Sequence, residues 1–243
     1  MARREVGISL DSVARLRRDE DCRKPDPVAM AALAEEAGAS RIKVYLREDR
    51  RFIKDRDVRV LRETVTTSLN LQMAATPEML KVAYELKPDE VTLVPDLREE
   101  YAGQVGMIGL DVHHQREHLK KFIGSLRDAD IGVVLAIEPN LEQVRAAHRL
   151  DANHIEISTQ KFAFSRGLPE RRRELQRVVD TVRTVSKLGM KASASGALDY
   201  HNLRELVPVE GITQFNVGHA VVLRSLQKGM SQAVRDVWEL VRE

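Results

Sequence analysis

The sequence predicts a single α/β domain over residues 1–243, a (β/α)8 barrel with an extra C-terminal helix. Eight short apolar runs rich in β-branched residues recur along the chain. Longer stretches with apolar residues at i, i+3, i+4 and i+7 separate them. Alternating strands and helices favour a parallel sheet. Eight such units in 243 residues, a usual length for one barrel, favour closure of that sheet.

The boundaries of the elements follow from these runs and from the residues at the helix ends. Asp26-Pro27 and Thr76-Pro77 each supply an N-cap and a proline at the first helical position, and Gly38 suits the left-handed residue that closes a helix. The predicted strands are residues 6–10, 42–46, 69–73, 91–94, 133–137, 155–158, 190–194 and 212–217. The other predicted helices are 55–65, 113–127, 141–150, 169–188, 201–206, 219–228 and, packed across the barrel, 231–242.

Composition and charge narrow the alternatives. An open doubly wound sheet is the second candidate fold, but no G-x-G-x-x-G or Walker motif follows a predicted strand, which disfavours its nucleotide-binding version. A net charge of +2, with the basic residues spread along the chain, does not indicate nucleic acid as a partner. No apolar run approaches the roughly 20 residues of a membrane span, and the N-terminus lacks a signal-peptide pattern. We therefore expect a cytoplasmic protein without membrane association, whose single cysteine, Cys22, is an incidental loop thiol.

Candidate functional residues follow from the barrel itself. In this fold the side chains at the C-terminal ends of the strands, and in the loops after them, converge on one pocket. The residues selected by that rule are Ser9, Asp11, Ser12, Tyr45, Arg47, Asn70, Gln72, Glu156, Ser158, Thr159, Ser193, Ser195, Asn216, Gly218 and His219.

The turns after strands 7 and 8 predict a phosphate or other oxyanion site. Small residues in 195–197 and 218–220 let the backbone approach an anion at a helix N-terminus, although they would also suit merely tight turns. Arg47 directly follows a buried strand and could grip a phosphate, or it could pair with acidic neighbours in 48–51. Asp11 could orient a ligand hydroxyl or cap the loop into the first helix.

Two charged segments favour ordinary surfaces over sites. His114 and His118 are four residues apart, a spacing that can hold a metal, but the surrounding residues are charged and an exposed helical face is preferred, so no metal is predicted. The arginine-rich stretch 166–177 is interleaved with Glu170 and Glu174, which favours a solvated, salt-bridged helix over a polyanion clamp.

Short motifs along nearly the whole chain carry a family resemblance. They are PDPV at 25–28, LREDRR at 46–51, D-x-R-x-L from 57, NL-x-MA at 70–74, LVP at 93–95, GLDV at 109–112, YHN at 200–202 and NVGHA at 216–220. With them the chain resembles the pyridoxine 5'-phosphate synthases of vitamin B6 biosynthesis. The resemblance implies a cofactor-free (β/α)8 enzyme that assembles into homo-oligomers, from dimers to octamers.

The resemblance also implies a reaction. That family condenses 1-deoxyxylulose 5-phosphate with 3-amino-1-hydroxyacetone 1-phosphate through imine formation, enolisation and loss of water. Such steps need histidines and a carboxylate that exchange protons near neutral pH. The positions that correspond to the family's catalytic histidine, glutamate and second histidine are occupied here by Tyr45, Gln72 and Gly196.

Ligand-binding positions implied by the resemblance are changed as well. Phe52 stands in place of a ligand-binding histidine, Glu20 in place of an arginine and Ala102 in place of a threonine, and the strand 1 segment Asn-x-Asp-His is here Ser-Leu-Asp-Ser at 9–12. Among the family's ligand-binding residues, the sequence keeps Asp11, Arg47 and the pair at 218–219.

Three functions stay open on the sequence. The first is a diverged barrel that binds a small phosphorylated metabolite through Arg47, Gly218 and His219, with the condensation lost or altered. The second is a non-catalytic oligomeric interaction or scaffold protein. The third is an active synthase with a rearranged catalytic set. His219 is the one histidine near the predicted pocket and, in the first function, a candidate general base.

Overall fold

The computed structural model describes residues 4–19, 22–95 and 109–242. Its eight strands are all parallel and form a closed barrel in chain order. This confirms the predicted (β/α)8 fold and rules out the open sheet. The strands are β1 (Glu5–Ser9), β2 (Arg41–Tyr45), β3 (Leu69–Ala74), β4 (Glu90–Val94), β5 (Gly132–Ile137), β6 (His154–Ser158), β7 (Lys191–Ser195) and β8 (Ile212–Val217).

The helices surround this barrel. In chain order they are α1 (Asp11–Ala14), α2 (Pro27–Glu36), α3 (Asp55–Thr64), α4 (Pro77–Leu86), α5 (Arg116–Asp128), α6 (Leu141–His148), α7 (Gln160–Ala163), α8 (Leu168–Lys187), α9 (Leu203–Leu206), α10 (His219–Lys228) and α11 (Met230–Arg242). In the described part of the chain, no helix is both long and apolar enough to cross a membrane.

Two predicted helices begin later than the apolar pattern indicated. The helix predicted from residue 113 begins at Arg116, and the one predicted from residue 201 begins at Leu203. In each case an aspartate holds the preceding residues in a turn: Asp111 accepts a hydrogen bond from the backbone N–H of His114, and Asp199 accepts from those of residues 201 and 202. Such local bonds compete with helix formation. The short α1 and α7 had not been predicted.

The predicted helix caps are present. Asp26 accepts a hydrogen bond from the backbone N–H of Val28 at 3.0 Å, and Thr76 accepts from that of Met79 at 3.4 Å. Gly38 has φ +107°, and a Cβ atom there would lie 2.7 Å from the Trp238 ring. The last helix, α11, packs on the outside of the barrel against α2, α10 and β1.

The barrel interior contains many polar side chains. Successive inward positions of β2 are Arg41, Lys43 and Tyr45, because side chains alternate along a strand. Lys43 is among the largest side chains that are completely enclosed. Bulky aliphatic residues dominate the interior of most such barrels. This one is crossed by a buried hydrogen-bonded network instead, and the network lies directly below the candidate site.

Candidate functional site

A pocket of about 320 Å³ opens at the C-terminal ends of the strands. The structure brings together most of the residues selected from the sequence. Those that line the pocket are Ser9, Asp11, Ser12, Tyr45, Arg47, Gln72, Ser195, Gly196, Asn216, Gly218 and His219. Those that do not line it are Asn70, Glu156, Ser158, Thr159 and Ser193. All five are buried within the barrel.

The turn after β8 has the geometry expected of an anion site. The helix α10 begins at His219, and its first backbone hydrogen bonds run from Val221 and Val222 to the carbonyl of Gly218. The N–H groups of His219 and Ala220 therefore lie at the free N-terminal end of the helix, where the helix dipole favours negative charge. A Cβ atom at Gly218 would lie 3.0 Å from the Cβ of Ser9, so any side chain at this position would crowd Ser9.

The turn after β7 differs from the prediction. Ser195, Gly196 and Ala197 do not lead directly into a helix, since α9 begins only at Leu203 and has four residues. Instead, the hydroxyl of Thr159 donates to the carbonyls of Ser195 and Gly196 at 3.0 and 2.7 Å, which fixes the turn. Gly196 and Ala197 have φ values of +102° and +53°, in the left-handed region. This turn lines the pocket without presenting a helix N-terminus.

Asp11 is held from two sides at the pocket. Its carboxylate accepts a hydrogen bond from the Ser9 hydroxyl and another from the backbone N–H of Tyr45, both at 2.6 Å. The helix predicted to come first, α2, is capped by Asp26 and not by Asp11. Burial raises the pKa of Asp11 above its usual range, against the opposing effects of these hydrogen bonds and of the Arg15 and Lys43 charges. A carboxyl group in this state can give or take a proton closer to neutral pH.

Arg47 forms the local ion pair that the sequence allowed as an alternative. Its Nε and Nη2 atoms donate to the Asp49 carboxylate at 2.9 and 2.7 Å, and this pairing lowers the pKa of Asp49. The arginine nevertheless lines the pocket. An incoming anion would share the guanidinium with Asp49.

The three positions to which the family resemblance assigns proton transfer lie in the same pocket. Tyr45, Gln72 and Gly196 all line it. Phe52 also lines the pocket. The guanidinium groups of Arg15 and Arg51 make cation–π contacts with its ring, at 4.6 and 5.4 Å from the ring centroid. Glu20 and Ala102 lie outside the described residues.

A buried ion pair lies beneath the pocket and was missed in the sequence. The Lys43 ammonium contacts the Glu156 carboxylate, and both side chains are only 2% exposed. Glu156 also accepts a hydrogen bond at 2.5 Å from the amide of Asn216, which lines the pocket. The sequence signal for Lys43 was a lysine between Ile42 and Val44 in a strand, two residues before Tyr45 and on the same face of the strand.

Deeper in the barrel a second carboxylate is strongly stabilised in its charged form. Glu90 pairs with Arg41 at 3.0 Å, lies 3.9 Å from His154 and accepts a hydrogen bond from Asn70. Burial alone would raise the pKa of Glu90, but the nearby His154 and the charge of Arg41 outweigh it and lower that pKa to about 2.

Acid should therefore destabilise the protein through Glu90. The depressed pKa of Glu90 stabilises the folded state. This stabilisation is complete above the pKa of Glu90 in the unfolded chain, about 4.3, and is lost as the pH falls toward 2. The shift corresponds to about 3 kcal/mol of unfolding free energy. We expect chemical denaturation at pH 7, 5 and 3 to show this loss below pH 5. In Glu90→Gln the free energy of unfolding should fall less steeply as the pH is lowered. A Glu90→Gln variant with the same acid dependence as the parent chain would contradict this assignment.

The other charged segments are surface features. His114 pairs with Asp111, whereas the His118 ring contacts the carbonyl oxygen of Ala75, so the two histidines face different partners. Within the described ranges, no three His, Cys, Asp or Glu side chains are grouped to hold a metal. In the arginine-rich helix α8, Arg171 pairs with Glu205 and Arg177 with Glu174, which confirms the salt-bridged helix. The Cys22 thiol contacts the Lys24 carbonyl.

Comparisons with solved structures agree with the barrel and show the fold alone. Tryptophan synthase from Mycobacterium tuberculosis matches with a TM-score of 0.64 at 12% identity, covering 100% of this chain and 93% of that one. A monomeric form of the phosphoribosylanthranilate isomerase from Thermotoga maritima matches with a TM-score of 0.60 at 15% identity, covering 99% and 98%.

Sequence comparisons find relatives that are much more similar to this chain than these solved structures are. The family model described as "Pyridoxal phosphate biosynthesis protein PdxJ" matches residues 6–243. The pyridoxine 5'-phosphate synthase of Geobacter sulfurreducens is 44% identical over 238 residues, with 98% of each chain covered. That of Thermosynechococcus vestitus is 44% identical over 236 residues, covering 97% of this chain and 98% of the relative. On these matches the chain belongs to the pyridoxal phosphate biosynthesis PdxJ family.

Proposed function

We propose that this protein is a diverged member of its family that binds a small phosphorylated metabolite, with the condensation reaction lost or altered. One observation carries the proposal: a single pocket combines the helix N-terminus at Gly218 and His219, which suits an anion, with Gln72 and Gly196 at positions where the reaction needs acids and bases. These residues support binding of an anion more than they support transfer of protons.

The replacements differ in kind from the groups they stand for. A glutamine amide keeps the size and hydrogen bonding of a glutamate but does not take up a proton near neutral pH, and a glycine has no side chain at all. A tyrosine phenol has an ordinary pKa near 10. Among the described residues, His219 is the only histidine that lines the pocket, and its side chain is exposed at the start of α10.

Anion binding at the N-terminus of α10 can be tested with a change of charge that leaves the helix intact. Ala220 lines the pocket in the first turn of α10. An aspartate there would stabilise the helix but repel a bound anion. We expect Ala220→Asp to weaken the binding of glycerol 3-phosphate at least about tenfold, as measured by calorimetry and by the ligand-induced rise in Tm.

Two control variants separate charge from shape. Ala220→Asn has nearly the same size as the aspartate variant without its charge, so it should bind within about threefold of the parent chain. His219→Ala should also bind nearly normally, because backbone N–H groups and not the imidazole hold the anion. Equal binding by the aspartate and asparagine variants, or no binding of any phosphorylated probe by the parent chain at millimolar concentration, would contradict the proposal.

An active synthase with a rearranged catalytic set is the second candidate. It is favoured by the 44% identity to proteins named as synthases and by Asp11, whose carboxyl faces the pocket with a raised pKa. In such an enzyme Asp11 and His219 would share the proton transfers. Assay of the purified protein with both substrates separates this candidate from the first.

Assembly into homo-oligomers stays a prediction and is compatible with either function. Phe164 and Leu223 line the pocket yet are 58% and 52% exposed. Large apolar side chains at a pocket rim are suited to contact with another copy of the chain. The non-catalytic scaffold function would use such surfaces without needing a ligand.

A further inference from the structure

One cation of the pocket differs from the others in its surroundings. Arg15 lines the pocket at the end of α1, and its side chain is largely exposed. Within the described part of the chain, no carboxylate lies within ion-pair distance of its guanidinium. Arg47, the other arginine of the lining, is by contrast held by Asp49. The positive charge of Arg15 is therefore the less compensated of the two.

The position of Arg15 is fixed by its neighbours. Its guanidinium lies 4.6 Å from the centroid of the Phe52 ring. Two residues further on, Arg17 donates to the Phe52 carbonyl at 3.2 Å and forms a buried bidentate pair with Asp57 at 2.6 and 2.9 Å. That anchor ties the segment after α1 to the loop after β2. Arg15 consequently rests on the aromatic ring without having to be ordered by a ligand.

A guanidinium held over a ring keeps its donors available. Cation–π contact uses the face of the group, whereas the N–H bonds point outward in its plane, where they can grip an oxyanion with two parallel hydrogen bonds. The remaining charged groups of the lining favour this use. Asp199 is occupied by the backbone N–H groups of residues 201 and 202. Asp11 interacts with the Arg15 charge, but its hydrogen bonds go to Ser9 and Tyr45.

We infer that Arg15, supported by the Phe52 ring, is an anion-binding and specificity-determining residue of this pocket, and that the ligand places a phosphate ester or a carboxylate against it. The inference rests on the proposed function, because it names a side chain that binds the metabolite. It assigns the β1–β2 side of the pocket to an oxyanion, in addition to the turn at α10.

Arg51 offers a matched control, because it stacks on the same ring at 5.4 Å but does not line the pocket. We expect Arg15→Gln to weaken binding of glycerol 3-phosphate or of glycerate at least about tenfold by calorimetry, and Arg51→Gln to leave both within about twofold. Arg15→Lys should fall between the two, since it keeps the charge but loses the planar fork. Phe52→Leu should weaken binding about threefold by removing the platform.

The two probes identify the chemistry, because the one that loses affinity in Arg15→Gln is the group that Arg15 holds. The ligand-free Tm of each variant tests whether folding is unchanged, and Arg15→Lys provides a second readout if Arg15→Gln folds poorly. If Arg15→Gln binds both probes within about twofold of the parent chain, this inference is overturned and the proposed function is not. A parent chain that binds neither probe would overturn the proposed function, and this inference with it.

Discussion

Purified protein should form pyridoxine 5'-phosphate from its two phosphorylated precursors at least about 10⁴-fold more slowly than an authentic synthase. Tyr45, Gln72 and Gly196 line the pocket, and the family resemblance assigns proton transfer to these three positions. Loss of one acid–base group typically costs about 10²- to 10⁴-fold in rate, and groups that act in one pathway fail together. The measurement is a product assay with the Geobacter sulfurreducens relative as the positive control.

Back-substitution tests whether side chains alone cause the loss. Gln72→Glu with Tyr45→His should raise any residual rate, because the new groups enter an existing pocket. Adding Gly196→His should help little, since the backbone there has φ +102°, where a side chain is strained. A parent chain within about tenfold of the relative, or one that supports growth of a synthase-deficient strain without pyridoxine, would contradict the prediction.

The fold could be predicted because its signals are local. Strand and helix periodicity, helix caps and the count of eight units depend on neighbouring residues, and the structure confirmed all eight strands within one residue of their predicted ends. Helix starts were less predictable at Asp111 and Asp199, where a side chain bonds to the backbone and delays the helix.

The candidate site was only partly predictable, because its main contacts join distant strands. The rule that strand ends converge identified Asp11, Gln72 and Gly218, but it gave no reason to choose Lys43 or Arg15. Lys43 lies below the strand ends and is explained only by Glu156, 113 positions further along the chain. Arg15 gains its significance from Phe52, which becomes its neighbour only when the loops after β1 and β2 fold together.

Breaking the buried ion pair of Lys43 and Glu156 should strongly destabilise the protein. Removing one member leaves an uncompensated charge in the barrel, which typically costs about 3–5 kcal/mol. We expect Lys43→Ala to lower the free energy of unfolding by that amount in urea denaturation at pH 7. Lys191→Ala is the matched control, because this lysine also lies in a barrel strand but is exposed, and its loss should cost less than about 0.5 kcal/mol.

A double variant separates the contribution of this ion pair to stability from its contribution to the pocket. Lys43→Met with Glu156→Gln removes both charges, fills most of the lysine volume and keeps an oxygen to accept the hydrogen bond from Asn216. Replacing a whole buried pair is often neutral, so most of the lost stability should return. The pair would then matter chiefly for the pocket above it, because Glu156 orients Asn216 and the Lys43 charge acts on Asp11. If Lys43→Ala alone costs less than about 1 kcal/mol, the carboxylate is not buried unpaired and this explanation of the barrel interior is wrong.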